Sequence, residues 1–249
     1  MEKDNFIPDN QNSCLDEEEF LFHYFSLPPD KIKELKEFNT SLRKLVDQLD
    51  NYGGSSQITE QIDEKIQSFL AKECSSNDSY LIIPSHPYLA HLVSKYLPSI
   101  LVNKNNLSFF ENNEENEKLI DNAQFGTRLI ISEILTNITK PQNINLDNKN
   151  RSFLVHIQFN EGKRVIDFEF YDFNPFNPQQ KKQMDIIREG EKSIQEDLDK
   201  KVCEFTEGGR GLNIVALYCD KFDVCDWYNE DGQRIGHITK LSINLLSNK

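Results

Sequence analysis

Two runs of β-branched and aromatic residues, FLVHIQF (153–159) and RVIDFEFYDF (164–173), flank the short polar stretch NEGK. No other feature restricts the fold as much. Strands joined by so short a connection must pair antiparallel, because a parallel crossover needs roughly a dozen residues or more. The closing stretch KFDVCDWYNEDGQRIGHITKLSINLL repeats the pattern as a hairpin with EDG at its turn. YLIIP (80–84) reads as a first strand, followed by a helix from His86 to Ile100 and a long helix that carries SEILTNITK (132–140). A charged excursion over 174–207 holds few aliphatic residues, and an apolar helix follows it. From Tyr80 onward the order is strand, helix, helix, two strands, excursion, helix, two strands. That order predicts an α+β two-layer sandwich, with a mixed but mainly antiparallel sheet and helices on one face, rather than a doubly wound parallel sheet.

Upstream, residues 1–29 read as an acidic, disordered arm. LPPD is a helix-start signal, and Leu35, Phe38, Leu42, Leu45, Leu49 and Tyr52 then recur at alternating spacings of three and four. NYGGSS breaks this helix, and Ile58, Ile62, Ile66, Phe69 and Leu70 line one face of a second. The pair predicts a helical hairpin over 30–77, its stripe buried against the rest of the chain or against a second copy. A dedicated partner-binding module is the other reading. ECSSNDS (73–79) is a polar linker that marks the start of the main domain, 78–249.

The formal net charge of −13 argues against nucleic acid or an anionic membrane as the partner. An anionic ligand would need a small, shaped site. Five cysteines without a C-x-x-C pair argue for reduced thiols in a cytoplasmic setting. No apolar run approaches the roughly 18–20 residues that span a bilayer, and the acidic N-terminus is unlike a secretory signal.

Three clusters carry chemistry. On the long helix, Glu133, Asn137 and Lys140 fall in one row while Leu129, Ile130, Ile131, Ile134, Leu135 and Ile138 are apolar, so the row should border a cleft. Asp172, sharing a face with Phe170 at the end of its strand, can accept hydrogen bonds from an exocyclic amine or simply open the turn before Pro175. GGRGL (208–212) precedes an apolar helix and can leave backbone N–H groups free for an anion, although it lacks the spacing of a Walker A loop. The five histidines have no metal-ligand spacing, and His156, within a strand, suits a structural role.

In this order the clusters resemble the ATP-binding (Bergerat) domain of the GHKL superfamily, which includes histidine kinases and gyrase. The resemblance is nearest to the anti-sigma factor serine/threonine kinases of the RsbW/SpoIIAB type. EILTNITKP matches that family's helix motif, DFNPFNP its strand end, GGRGLNIV its glycine motif, and LIIPSHPYLAHLVSKYL its opening strand and helix. The likeness covers about 78–249. It departs at Asn174, where the family has a glycine, and at Pro141, where it has a histidine. The resemblance implies a Mg²⁺ ligand in Asn137, an adenine acceptor in Asp172 and an adenine turn at Asn174. It implies phosphate contacts from Gly208, Gly209, Arg210, Gly211, Leu212 and Lys140, and a catalytic carboxylate in Glu133 acting on a serine or threonine hydroxyl. The excursion would be a lid. ATP and Mg²⁺ are the implied cofactors, and an antagonist (STAS-like) protein, a sigma factor or another regulator the implied partners, with a homodimer also compatible. A nucleotide-gated sequestering module without turnover, and an interaction protein with a vestigial ATP site, remain alternatives.

Overall fold

The computed structural model describes residues 25–53, 55–102, 114–139, 152–172, 215, 218–228, 232 and 234–245. Two helices open the chain, α1 (Pro29–Tyr52) and α2 (Ser56–Glu73). Pro29 stands at the first helical position of α1, where its missing N–H costs nothing, and Gly53 ends the helix in the left-handed region at φ 68°. Ser55 caps α2 by accepting the Ile58 N–H at 3.3 Å. Strand β1 (Asp78–Pro84) leads into α3 (Pro87–Leu101), capped by His86 Nδ1 accepting the Tyr88 N–H at 3.2 Å. Then come α4 (Glu114–Thr139), the hairpin β2 (Ser152–Asn160) and β3 (Val165–Asp172), and the hairpin β4 (Lys221–Tyr228) and β5 (Arg234–Asn244). Gly232, at φ 74°, supplies the turn expected at EDG.

The strands form one sheet in the order β1-β2-β3-β5-β4. All four pairings among the described strands are antiparallel, so the parallel component of a mixed sheet is not found there. The reason is topological: β4 takes the edge, and the closing hairpin returns β5 beside β3 in the opposite direction. The α+β architecture with an antiparallel sheet stands as the sequence implied.

Alternation along β3 sorts the two faces. Ile166, Phe168 and Phe170 are at most 1% exposed, and they align with Phe153, Val155, Ile157, Leu81 and Ile83. The apolar sides of α3 and α4, with Leu89, Val93, Leu97, Ile130, Ile134 and Leu135 buried, belong to the same core. Phe168 and Phe170 stack at 6.0 Å in its centre. The opposite face is not bare. Tyr80, His156, Tyr171 and Trp227 lie on it, all buried, and Phe25 packs edge-on over the first three.

The hairpin α1–α2 guards the free edge of β1. Glu73, buried at the end of α2, accepts the Tyr80 N–H at 3.1 Å and pairs with Lys31. Further along α1, Asn39 donates to the Ser152 hydroxyl at 2.6 Å, and Arg43 reaches the same oxygen at 2.7 Å. Edge strands left open invite pairing with other chains, and here a helix pair fills that place. The stripe of α1 is consumed within the chain. Ile32, Leu35, Phe38, Leu42 and Val46 are buried, whereas Leu45 and Leu49 are only half-buried. Ile32, Leu35, Asn39, Leu42 and Val46 recur at spacings of three and four, so the stripe keeps its alternating period but is shifted toward Ile32 and Val46. Phe38 and Phe69 stack face to face between the two helices.

Three described cysteines, Cys74, Cys219 and Cys225, are free. Burial pushes the Cys74 thiol up to about 12, so it stays protonated and unreactive. No helix among the described residues is long and apolar enough to cross a membrane.

Candidate functional site

Helix α4 is where the site begins. Its body buries Ile120, Ile130, Ile131, Ile134, Leu135 and Ile138. Gly126 stands in mid-helix, where glycine costs roughly 1 kcal/mol relative to alanine. The neighbouring chain explains it: a Cβ at this position would lie 3.1 Å from the Tyr218 ring, so the glycine permits a close approach. Tyr218 belongs to the segment that follows GGRGL in sequence, and Val215 in the same segment is fully buried.

Helical geometry then fixes the direction of the polar row. Glu133 and Asn137 lie seven and eleven residues beyond Gly126, which puts each within about 20° of it around the axis, roughly 10 and 16 Å further along. Both are half-buried. The carboxylate and the amide therefore continue the same stripe of α4 that receives Tyr218. Ile130, Ile131, Ile134, Leu135 and Ile138 are all buried, which is why the polar row is confined to a single strip. Thr127, beside Gly126, is fully buried and its hydroxyl has no hydrogen-bond partner among the described residues.

Asp172 closes β3 on the face of Ile166, Phe168 and Phe170. It is buried, and its direct partner across the ladder is His237, whose Nε2 lies 3.8 Å from Oδ2. One strand further, His237 stands opposite Asp226, which pairs with Arg234 at 2.8 Å. A row of acid, imidazole and acid thus crosses three strands at one end of the sheet. A buried carboxylate in this position can accept from a ligand amine, with the imidazole available to hold its orientation.

The sequence-derived site residues divide in two. Glu133 and Asn137 share one strip of α4, and Asp172 is buried at the end of β3. Lys140, Asn174, Gly208, Gly209, Arg210, Gly211 and Leu212 lie outside the described residues. Among the described residues no three His, Cys, Asp or Glu side chains are grouped to hold a metal. A Mg²⁺ ion bound mainly through phosphates and waters needs no such group, and an amide with a carboxylate on one strip fits that donor set. Sequence reasoning missed His237 and Gly126. The register of β5 against β3 is the signal that pairs His237 with Asp172; an isolated glycine within a helical run is the signal for Gly126. Comparison with protein-family models found no match, and comparison with curated proteins found none either.

Proposed function

We propose that the chain is a Mg²⁺-ATP-dependent serine/threonine protein kinase of the anti-sigma factor type, with a GHKL-like ATP site, acting on a small antagonist protein in the cytoplasm. One observation carries the reading: α4 turns a carboxylate and an amide toward the same side on which Tyr218, downstream of the glycine run, packs against Gly126. GGRGL ends six residues before Tyr218, a length that can reach back toward the Glu133–Asn137 end of the strip. In this site the glycine-run amides hold the phosphates, Asn137 supplies an oxygen to Mg²⁺, and Asp172 accepts from the adenine amine. Glu133 takes the proton of the attacking hydroxyl as its oxygen bonds the γ-phosphorus and ADP departs. The formal net charge of −13 fits such a site, since backbone dipoles and the metal would supply the local positive field.

Calorimetric titration with ATP tests it. Binding should require Mg²⁺, Asp172→Ala should weaken it at least tenfold, and Asn137→Ala should remove most of the Mg²⁺ dependence. An affinity untouched by Asp172→Ala overturns the reading. With labelled ATP and the antagonist protein, Glu133→Ala should abolish transfer while nucleotide still binds. Binding without transfer by the wild type would instead favour the sequestering module.

A further inference from the structure

The sheet face that carries Tyr80, His156 and Tyr171 holds a cluster that the nucleotide reading does not use. At its centre is His156, 7% exposed, with Nε2 2.7 Å from Asp78 and Nδ1 3.4 Å from Glu169. Tyr80 stacks on the imidazole at 4.5 Å and 5°, and donates to Asp78 at 3.1 Å. Glu169 also accepts from Tyr171 and from Lys240, each at 2.6 Å. Phe25 sits on this seat edge-on, with centroids 4.9 Å from Tyr80, 5.1 Å from His156 and 5.4 Å from Tyr171.

We propose that Phe25–Leu27 is a strap that latches onto this face while His156 is charged and lifts when that charge is lost. The geometry supplies both halves of such a device. The seat is ionisable where plain apolar packing would hold a strap more simply: an imidazolium donates to both Asp78 and Glu169 while stacked on the Tyr80 face, whereas the neutral ring can donate to only one of them, so the ring under Phe25 loses an anchor with its charge. The hinge is Ser26, a non-glycine residue at φ 49°, in the left-handed region, between Phe25 and the buried Leu27. Strain there opposes the closed position, so the latch must be held by its seat.

Among the described residues, the charges facing His156 are Asp78 from β1, Glu169 from β3, and Lys240 from β5 through Glu169. Glu73 of α2 and Lys31 of α1, at the Tyr80 backbone, engage each other. Burial works against the imidazolium, but the bonds to Glu169 and Asp78 outweigh it and hold its titration above the ordinary range. Glu169 is lowered to about 2 by its bond to His156, against burial and aided by Lys240. The His156 contribution is therefore whole below the ordinary imidazole value of about 6.5 and disappears as pH rises through the raised one. Tyr80 and Lys240 are both pushed upward, away from that window.

Trp227, the sole tryptophan, is a built-in reporter, being 1% exposed and edge-on to Tyr171 at 5.6 Å. In the full chain between pH 6 and 9.5, acrylamide quenching of Trp227 should at least double. Chymotryptic cleavage after Phe25, relative to an unstructured peptide of the same sequence, should rise at least fivefold, with far-ultraviolet dichroism unchanged. His156→Gln should flatten both profiles, and Phe25→Ala should give high quenching at every pH. A wild-type profile flat across the range, or one that persists unchanged in Phe25→Ala, overturns the strap, whatever the stability of His156→Gln.

Discussion

Phe168→Ala should lower the unfolding free energy by about 3–5 kcal/mol, the largest loss for a single truncation in this chain. Phe168 is fully buried on β3, the central strand, and stacks on Phe170. A soluble domain is stable by only about 5–15 kcal/mol, so the variant should sit near the folding threshold. Phe168→Leu should cost about 1 kcal/mol, because most of the volume stays. Phe125→Ala, at a ring 58% exposed on α4, should change stability by less than about 0.5 kcal/mol. Urea unfolding of the three variants checks the set. A Phe168→Ala loss below about 1 kcal/mol would mean that β3 presents its other face to the core.

Glu73→Ala should cost about 2–3 kcal/mol and should also promote self-association. The carboxylate has side-chain exposure of 2% and satisfies two donors, the Tyr80 N–H and Lys31. Removing it strands the backbone donor of an edge strand, while Lys31, 27% exposed, can turn to water and recover part of the loss. Glu73→Gln keeps an acceptor for Tyr80 and should lose only about 1 kcal/mol. The size of the effect is read from urea midpoints, and the association from light scattering as a function of concentration. Equal stability of the Ala and Gln variants would show that the Tyr80 bond contributes nothing.

Much of this architecture could be read from short-range signals. NEGK and EDG fixed two hairpins, LPPD and NYGGSS bounded α1, and strand alternation put Phe170 and Asp172 on one face. What escaped was set by long-range geometry. The spacing of Leu35, Leu42 and Leu49 looks like a seam for another helix, yet the partner is this chain's own α2 and β1, so burial drifts to Ile32 and Val46. Phe25 and Leu27 fall at the end of an acidic stretch, and only the ring contacts across the sheet disclose their role. At the candidate site, Glu133 and Asn137 were legible from helical spacing alone. The pairing of Asp172 with His237 was not, because strand register links positions 65 apart in the chain.

The bond between Asn39 and Ser152 spans 113 residues, and this has a consequence during synthesis. At about 5–20 residues per second, the ribosome delivers Ser152 on the order of 6–20 s after Asn39. For that interval the N-terminal helices, and β1 soon after them, exist without β2, the strand that β1 pairs with. Their mutual contact, Phe38 against Phe69, is what they have to shelter each other as the remainder of the polypeptide emerges.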